Sequence, residues 1–214
     1  MSGIIAQNSG RHTGLVKASS GGGGVWNLIK TYTASSSSDI SFVEGTDGVD
    51  FTAYNSSDLE VVPTAYNFKF IDIHPQTDAV HLQINFSTDT GSSYNVAKTT
   101  TNFQSFHTES DSESGVGYQG SLDGAQTTGG VAISNSLSND NDGSTSGCLY
   151  LFAPSSTTFV KNYYATFNAT QYQDYSTNYF IGGYGNTTSA VDAVKFVMSS
   201  GNIDSGTISL YGIS

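Results

Sequence analysis

The sequence predicts an all-β fold, a jelly-roll-like β-sandwich that carries an extended N-terminal arm. Three observations point there: short segments of alternating polarity, turn-forming residues between them at intervals of roughly 8–12 residues, and no sustained helical periodicity.

The elements follow in chain order. Residues 1–24 form the expected assembly arm. In it, Ile4-Ile5 and Leu15-Val16 are small apolar plugs among Asn, Ser and Gly, and Arg11 and Lys17 are its charges. A four-glycine run at 21–24 has high backbone entropy and reads as a linker. Residues 25–214 then read as one β-sandwich body. Trp26, just past the glycines, is expected to plug the point where the arm enters the fold. In 79–86, Val80, Leu82, Ile84 and Phe86 share one face, while Ala79, His81, Gln83 and Asn85 share the other. Segment 66–73 starts the same way with Tyr66, Phe68 and Phe70 and shifts phase near Ile71. Val131, Ile133 and Leu137 line one side of 131–137. Further strands are expected at 39–43, 148–152, 159–167, 179–184, 194–198 and 207–213. Turns are expected at Thr46-Asp47-Gly48, His74-Pro75, Asp89-Thr90-Gly91, Asn141-Asp142-Gly143, Ala153-Pro154 and Ser200-Gly201-Asn202. Stretches 108–130 and 138–147 are acidic and rich in Gly and Ser, so they read as exposed loops.

Composition bounds the function. At 214 residues the chain suits a single domain. With 13 Tyr and 12 Phe it has the aromatics that disordered chains lack. A net charge of -11 makes nucleic acid and anionic membranes poor partners and favours solubility. Residues 1–38 hold Arg11, Lys17 and Lys30 and no acid, a local +3; the remaining residues set four Lys against 18 acids, or -14. A basic arm on an acidic body fits an arm that docks on an acidic surface. Cys148 is the only cysteine, which rules out an intrachain disulfide and a paired-cysteine metal site. The opening MSGIIAQNSGRHTG has no basic-then-apolar signal pattern, and no apolar run reaches membrane-spanning length. Synthesis in a cytoplasm, without export by a signal peptide, is the expectation.

Motifs for chemistry are weak. Residues 115–120, GVGYQG, match the glycine pattern of dinucleotide sites, but Glu109, Asp111 and Glu113 precede them and no helix-like segment follows to hold a phosphate. Asp140, Asp142 and Gly143, and separately Glu44, Asp47 and Asp50, resemble fragments of calcium loops without the closing Glu. His12, His74, His81 and His107 have no zinc spacing, and no nucleophile elbow is present. Cys148, inside an apolar strand, reads as a buried, inert thiol. No catalytic residue, cofactor or metal is expected. One binding chemistry stays open: Tyr163, Tyr164, Tyr172, Tyr175, Tyr179 and Tyr184 cluster among Asn, Gln, Ser and Thr. Such rings stack on sugar faces while amides take hydroxyls, and Tyr172, Tyr175 and Tyr184 are the candidate glycan contacts. The competing reading is strand packing or subunit contact.

Both ends of the chain carry a more specific signal. The opening, MSGIIAQNSGRHTGLVKASSGGGGVWNLIKTYTASSSSDISF, resembles the start of small virion proteins of tailed bacteriophages, many from marine bacteria, in which an SGIIxQN…SGLIK motif leads through glycines into an aromatic strand. The end, GYGNTTSAVDAVKFVMSSGNIDSGTISLYGIS, is similar to their closing strands, with an SSGNIxSGTIxLYGI pattern, and YNFKFIDIHPQTD and LFAPSSTTFV fit loosely between. The resemblance implies a phage structural protein of the tail fibre-like, head fibre or capsid decoration type, with no catalytic residue to carry over and no role for His12. Release by lysis inside the particle would account for the missing export signal.

The combined expectation is a non-enzymatic virion-surface protein, a capsid decoration or cement protein. Ile4, Ile5, Leu15 and Val16 would hold the coat protein, and Arg11 and Lys17 would face acidic groups. Self-association as a trimer would add the strength of several weak arms. The alternative is a tail fibre or adhesin head that binds host-surface glycan. A glycan-active enzyme on the same fold is the third class.

Overall fold

A computed structural model describes residues 26–51 and 65–213. The expected arm, with Ile4, Ile5, Arg11, Leu15, Val16 and Lys17, lies outside the described residues, as does His12. The described residues contain twelve strands and no helix: β1 (Trp26–Thr33), β2 (Ile40–Val43), β3 (Ala65–Pro75), β4 (Val80–Ser87), β5 (Lys98–Thr108), β6 (Ser114–Tyr118), β7 (Val131–Leu137), β8 (Thr145–Phe152), β9 (Lys161–Gln171), β10 (Tyr175–Gly185), β11 (Ala193–Met198) and β12 (Ile203–Ile213). The fold is all-β and sandwich-like, as the alternation predicts.

Every strand pairing is antiparallel. Eight strands run side by side in the order β1-β12-β3-β8-β9-β10-β5-β6, and four in the order β7-β4-β11-β2. The two runs join at one corner, where Leu137 of β7 pairs with Gln171 of β9. Elsewhere they lie face to face, because each strand hides its apolar set from water. Phe42 of β2 meets Phe68 of β3 at 5.2 Å between ring centres, and Phe196 of β11 meets Phe68 and Phe70 at 5.1 and 4.9 Å. Phe86 of β4 meets Tyr163 of β9 at 5.4 Å. Edge-to-face contacts of this kind add about 0.5–1.5 kcal/mol each beyond burial.

Local sequence explains the strands. Val80, Leu82, Ile84 and Phe86 are all buried, as the alternation in 79–86 requires. The phase shift near Ile71 is a β-bulge: the register slips between Phe70 and Ile73, and Asp72 takes a positive φ of 51°. Phe70 and Ile73 are therefore both buried and Ile71 is exposed. Across the pair, Gly206 sits at φ 110°, where a Cβ would lie 2.5 Å from the Asp72 carbonyl oxygen. Only glycine fits that bulge.

Seven details differ from the sequence reading. Strand β5 has no counterpart in it, and β6 lies within 108–130, read there as loop. Strand β8 starts at Thr145, inside the other expected loop, and Pro75 ends β3 instead of opening a turn. In β7, Ser134 is buried as fully as its apolar neighbours, its hydroxyl 2.9 Å from that of Thr145. Trp26 is no buried plug: it is 46% exposed. Cys148 is half-buried.

Candidate binding face

Alternation that sends one side of a strand into the core sends the other outward. On the eight-stranded sheet those outward positions line up across strands. One row runs Leu28, Tyr211, Asn67, Tyr150, Tyr164 and Gly182. The next runs Cys148, Thr166, Phe180, Phe103 and Tyr118. Leu28, Tyr118 and Phe180 are 58%, 55% and 52% exposed.

The rings hold one another in place. Trp26 packs on Tyr150 at 6.1 Å and Tyr211 at 5.7 Å, and Tyr150 stacks on Tyr164 at 4.8 Å with 19° between planes. Phe152 continues this group at 5.9 Å from Tyr164, and Phe103 and Phe180 form a second group 6.5 Å apart. Between the groups, Gly182 leaves a gap with only the Thr101 hydroxyl near it. Asn67 is buried in the first row, and its amide works against the burial that raises the Cys148 thiol pKa. Burial, then the Cys148 and Tyr164 groups, push up the Tyr150 hydroxyl. Both groups stay neutral at ordinary pH.

Charge is sparse on this face. Among the described outward strand positions between the Asp72 bulge and the β6 edge, Lys69 and His107 are the ionisable groups besides thiol and phenols. Carboxylates sit at the rim, where Asp123 accepts a hydrogen bond from the Tyr118 hydroxyl and Asp72 accepts one from Ser146 at 3.3 Å. A broad, aromatic, nearly uncharged surface suits apolar or stacking partners.

The glycan tyrosines picked from sequence do not converge. Tyr172 lies in the β9–β10 turn, and Tyr175 opens β10, stacked on Phe106 at 5.5 Å with its hydroxyl donating to Glu113 at 3.0 Å. Tyr184 is at the far end of β10, about 30 Å away along an extended strand. Tyr179 is buried, its hydroxyl donating to the Asn135 carbonyl at 2.9 Å and its pKa pushed up to about 12 by desolvation. Tyr163 is buried too, while Tyr164 and the half-buried Tyr184, which pairs with Asn162 and Thr99, both lie on the outer side of the sheet. The signal for Tyr150, Tyr164 and Phe180 was present: each is an outward aromatic between two core residues, and a strand apolar on both sides is covered on both sides.

The remaining candidates are structural. Gly115 of the GVGYQG segment lies in edge strand β6, where a Cβ would meet the Phe106 ring at 2.9 Å, so close packing explains that glycine. His74 Nδ1 donates to the Gly143 carbonyl at 2.6 Å, and His81 Nδ1 accepts from the Ser136 backbone at 3.2 Å. His107 lies 3.0 Å from Asp111 at the surface. Asp47 accepts from Tyr32 and pairs with Lys30 at 3.5 Å, and Glu44 accepts from the Phe51 backbone. Among the described residues no group of three His, Cys, Asp or Glu could hold a metal ion. Two open, polar depressions are present, one by Glu109, Asp174 and Tyr175, the other by Asp72, His74, Asp142 and Asp204. Comparison with protein families, with curated proteins and with solved structures found no match to this chain.

Proposed function

We propose that this chain is a non-enzymatic structural protein of a tailed-phage particle, displayed on the virion surface as a capsid decoration or cement protein. Residues 1–24 anchor it to the coat protein, and the body associates with further copies of itself, as a trimer. The observation that carries this reading is the wide aromatic face of the eight-stranded sheet, rich in exposed rings and poor in charge, which is the composition of an assembly surface. The resemblance of both chain ends to small phage virion proteins supplies the particle.

Strand order supports it further. With the hairpin strands β5–β6 and β9–β10 set aside as insertions, β1-β12-β3-β8 faces β2-β11-β4-β7. Each sheet then interleaves strands from the two halves of the chain, and successive strands cross from one sheet to the other except at β4 and β7, which pair with each other. We read this as jelly-roll order, an architecture that viral capsid and lectin domains share. That link is analogy of fold alone.

The adhesin reading has an observation of its own. Trp26, Tyr211, Tyr150 and Tyr164 form a continuous aromatic run beside the hydroxyl of Thr166, a combination that suits sugar rings. Cryo-electron microscopy of the particle separates the two. Density on the capsid lattice, lost when residues 1–20 are deleted while the body still folds, is the expected result. Density at a tail tip or fibre end would replace decoration by adhesion.

A further inference from the structure

We infer that the outer aromatic face of the eight-stranded sheet is the surface through which copies of this chain bind one another, a reading that rests on the structural role proposed above. Three features select a second copy over other occupants.

The first is size. Eight strands at about 4.8 Å spacing span about 34 Å, and the aromatic rows extend about 20 Å along them, so the face covers about 700 Å². A stable protein interface buries about 800 Å² per partner. A single sugar chain would cover only a strip of such a face.

Charge is the second. Each copy carries -11, so two copies repel at long range. With 18 acids against seven Lys and Arg, contact elsewhere on the molecule tends to bring carboxylates together. Here the acids, Asp72 and Asp123 among them, stand at the rim, and the interior of the face presents Lys69 and neutral rings. Two copies can meet there without burying an acidic pair, whose desolvation would oppose association.

Chemistry is the third. Leu28, Val116, Phe103 and Phe180 are exposed on this face, and none carries a hydrogen-bonding side chain that could read a hydroxyl. They gain only from an apolar partner. Trp26, Tyr150 and Tyr164 are already held by mutual stacking, so docking costs them little rotamer entropy. Rigid aromatic anchors at the centre of a patch are the usual hot spots of protein contacts.

The test is sedimentation of the full chain across micromolar concentrations, with wild type, Tyr164→Glu, Leu28→Glu and Ser200→Glu compared, and circular dichroism to confirm folding. The wild type is expected to associate, more tightly as salt is raised, because screening removes the repulsion between acidic bodies. Tyr164→Glu and Leu28→Glu should each weaken association about tenfold or more while melting normally. Ser200→Glu adds the same charge in the β11–β12 turn and should change nothing. A wild type that stays monomeric overturns the inference, and so does association that neither face variant disturbs. Capture of a glycan by a monomeric wild type, lost in Tyr164→Glu, would give the face to sugar instead. Absence of the chain from the particle would end the proposed function yet leave self-association untouched.

Discussion

The inner side of the eight-stranded sheet is two different surfaces. Under β12, β3 and β8 it presents Ile208, Leu210, Phe68, Phe70, Leu149 and Leu151, all buried, with Phe68 and Phe70 against Phe42 of β2 and Phe196 of β11. Under β5 and the start of β10 it presents Lys98, Thr100, Asn102 and Thr177, equally buried but polar. The first surface is held by removal of apolar area from water. The second is held by its ladder and by local hydrogen bonds, such as Gly124 N–H to the Thr100 hydroxyl at 2.8 Å and Lys98 Nζ to Asn85 Oδ1 at 3.0 Å and the Val96 carbonyl at 2.9 Å. One sheet thus combines a stability-giving half with a half that extends the outer face at little or no gain. Strands β5 and β6 widen the outer aromatic face more than they strengthen the body.

The largest effect expected from this contrast is in the apolar half. Phe68 is fully buried and its ring meets those of Phe42 and Phe196. Phe68→Ala leaves a cavity between the sheets and should lower unfolding free energy by about 3–5 kcal/mol, read from urea denaturation. A loss below about 1 kcal/mol would show that the sheets can close over the gap and that the core is less rigid than drawn.

In the polar half the key group is Lys98, buried with no carboxylate among its hydrogen-bond partners, its pKa brought down to about 8 by desolvation. A fall from 10.5 to about 8 is a penalty of about 3 kcal/mol on the charged form in the folded state. The unfolded chain then binds more protons between those values, so this group makes stability rise with pH from about 8 upward. Below pH 8 the full penalty is present. The raised pKa values of Cys148, Tyr163 and Tyr179 act in the opposite direction at alkaline pH, because their folded forms hold protons longer. Comparison of Lys98→Met with wild type cancels those shared terms. The variant should gain most over wild type at pH 7, and that advantage should shrink between pH 8 and 10. A difference that stays flat with pH would mean that Lys98 keeps its charge without cost.

The same contrast decides what the sequence could reveal. Strands β4, β3 and β9 were legible because Val80, Leu82, Ile84 and Phe86, or Tyr163, Ala165 and Phe167, mark a core face by period two. Strand β5, KTTTNFQSFHT, hides because its buried face is Lys98, Thr100 and Asn102, residues that alternation counts as outward. Gly115 and Gly117 hid β6, since glycine weakens any strand signal and Gly115 is set by the Phe106 ring packed over it. The outer aromatic face was half legible. Tyr164 stood out in the tyrosine-rich last third, but Trp26, Tyr150, Tyr211 and Phe103 join it only through pairings between strands far apart in the chain. Proximity along the chain instead drew attention to Tyr172, Tyr175 and Tyr184, which the length of β10 separates.

Asn102 offers the smallest and most diagnostic perturbation. It is 1% exposed on the inner side of β5, paired with Ile181, and neither its amide nitrogen nor its oxygen has a hydrogen-bond partner within the protein. A buried amide in that state costs about 1–3 kcal/mol, whereas an apolar side chain of similar size costs nothing comparable. Asn102→Leu should therefore stabilise the chain by about 1 kcal/mol, with the gain visible in urea midpoint and no change in slope. The variant distinguishes two ways of building the polar half. A gain means that the inserted strands tolerate an unpaired group because their purpose lies on the other side of the sheet. A loss means that ordered water reaches the amide, and the polar half holds a hydrated layer between β5 and the body.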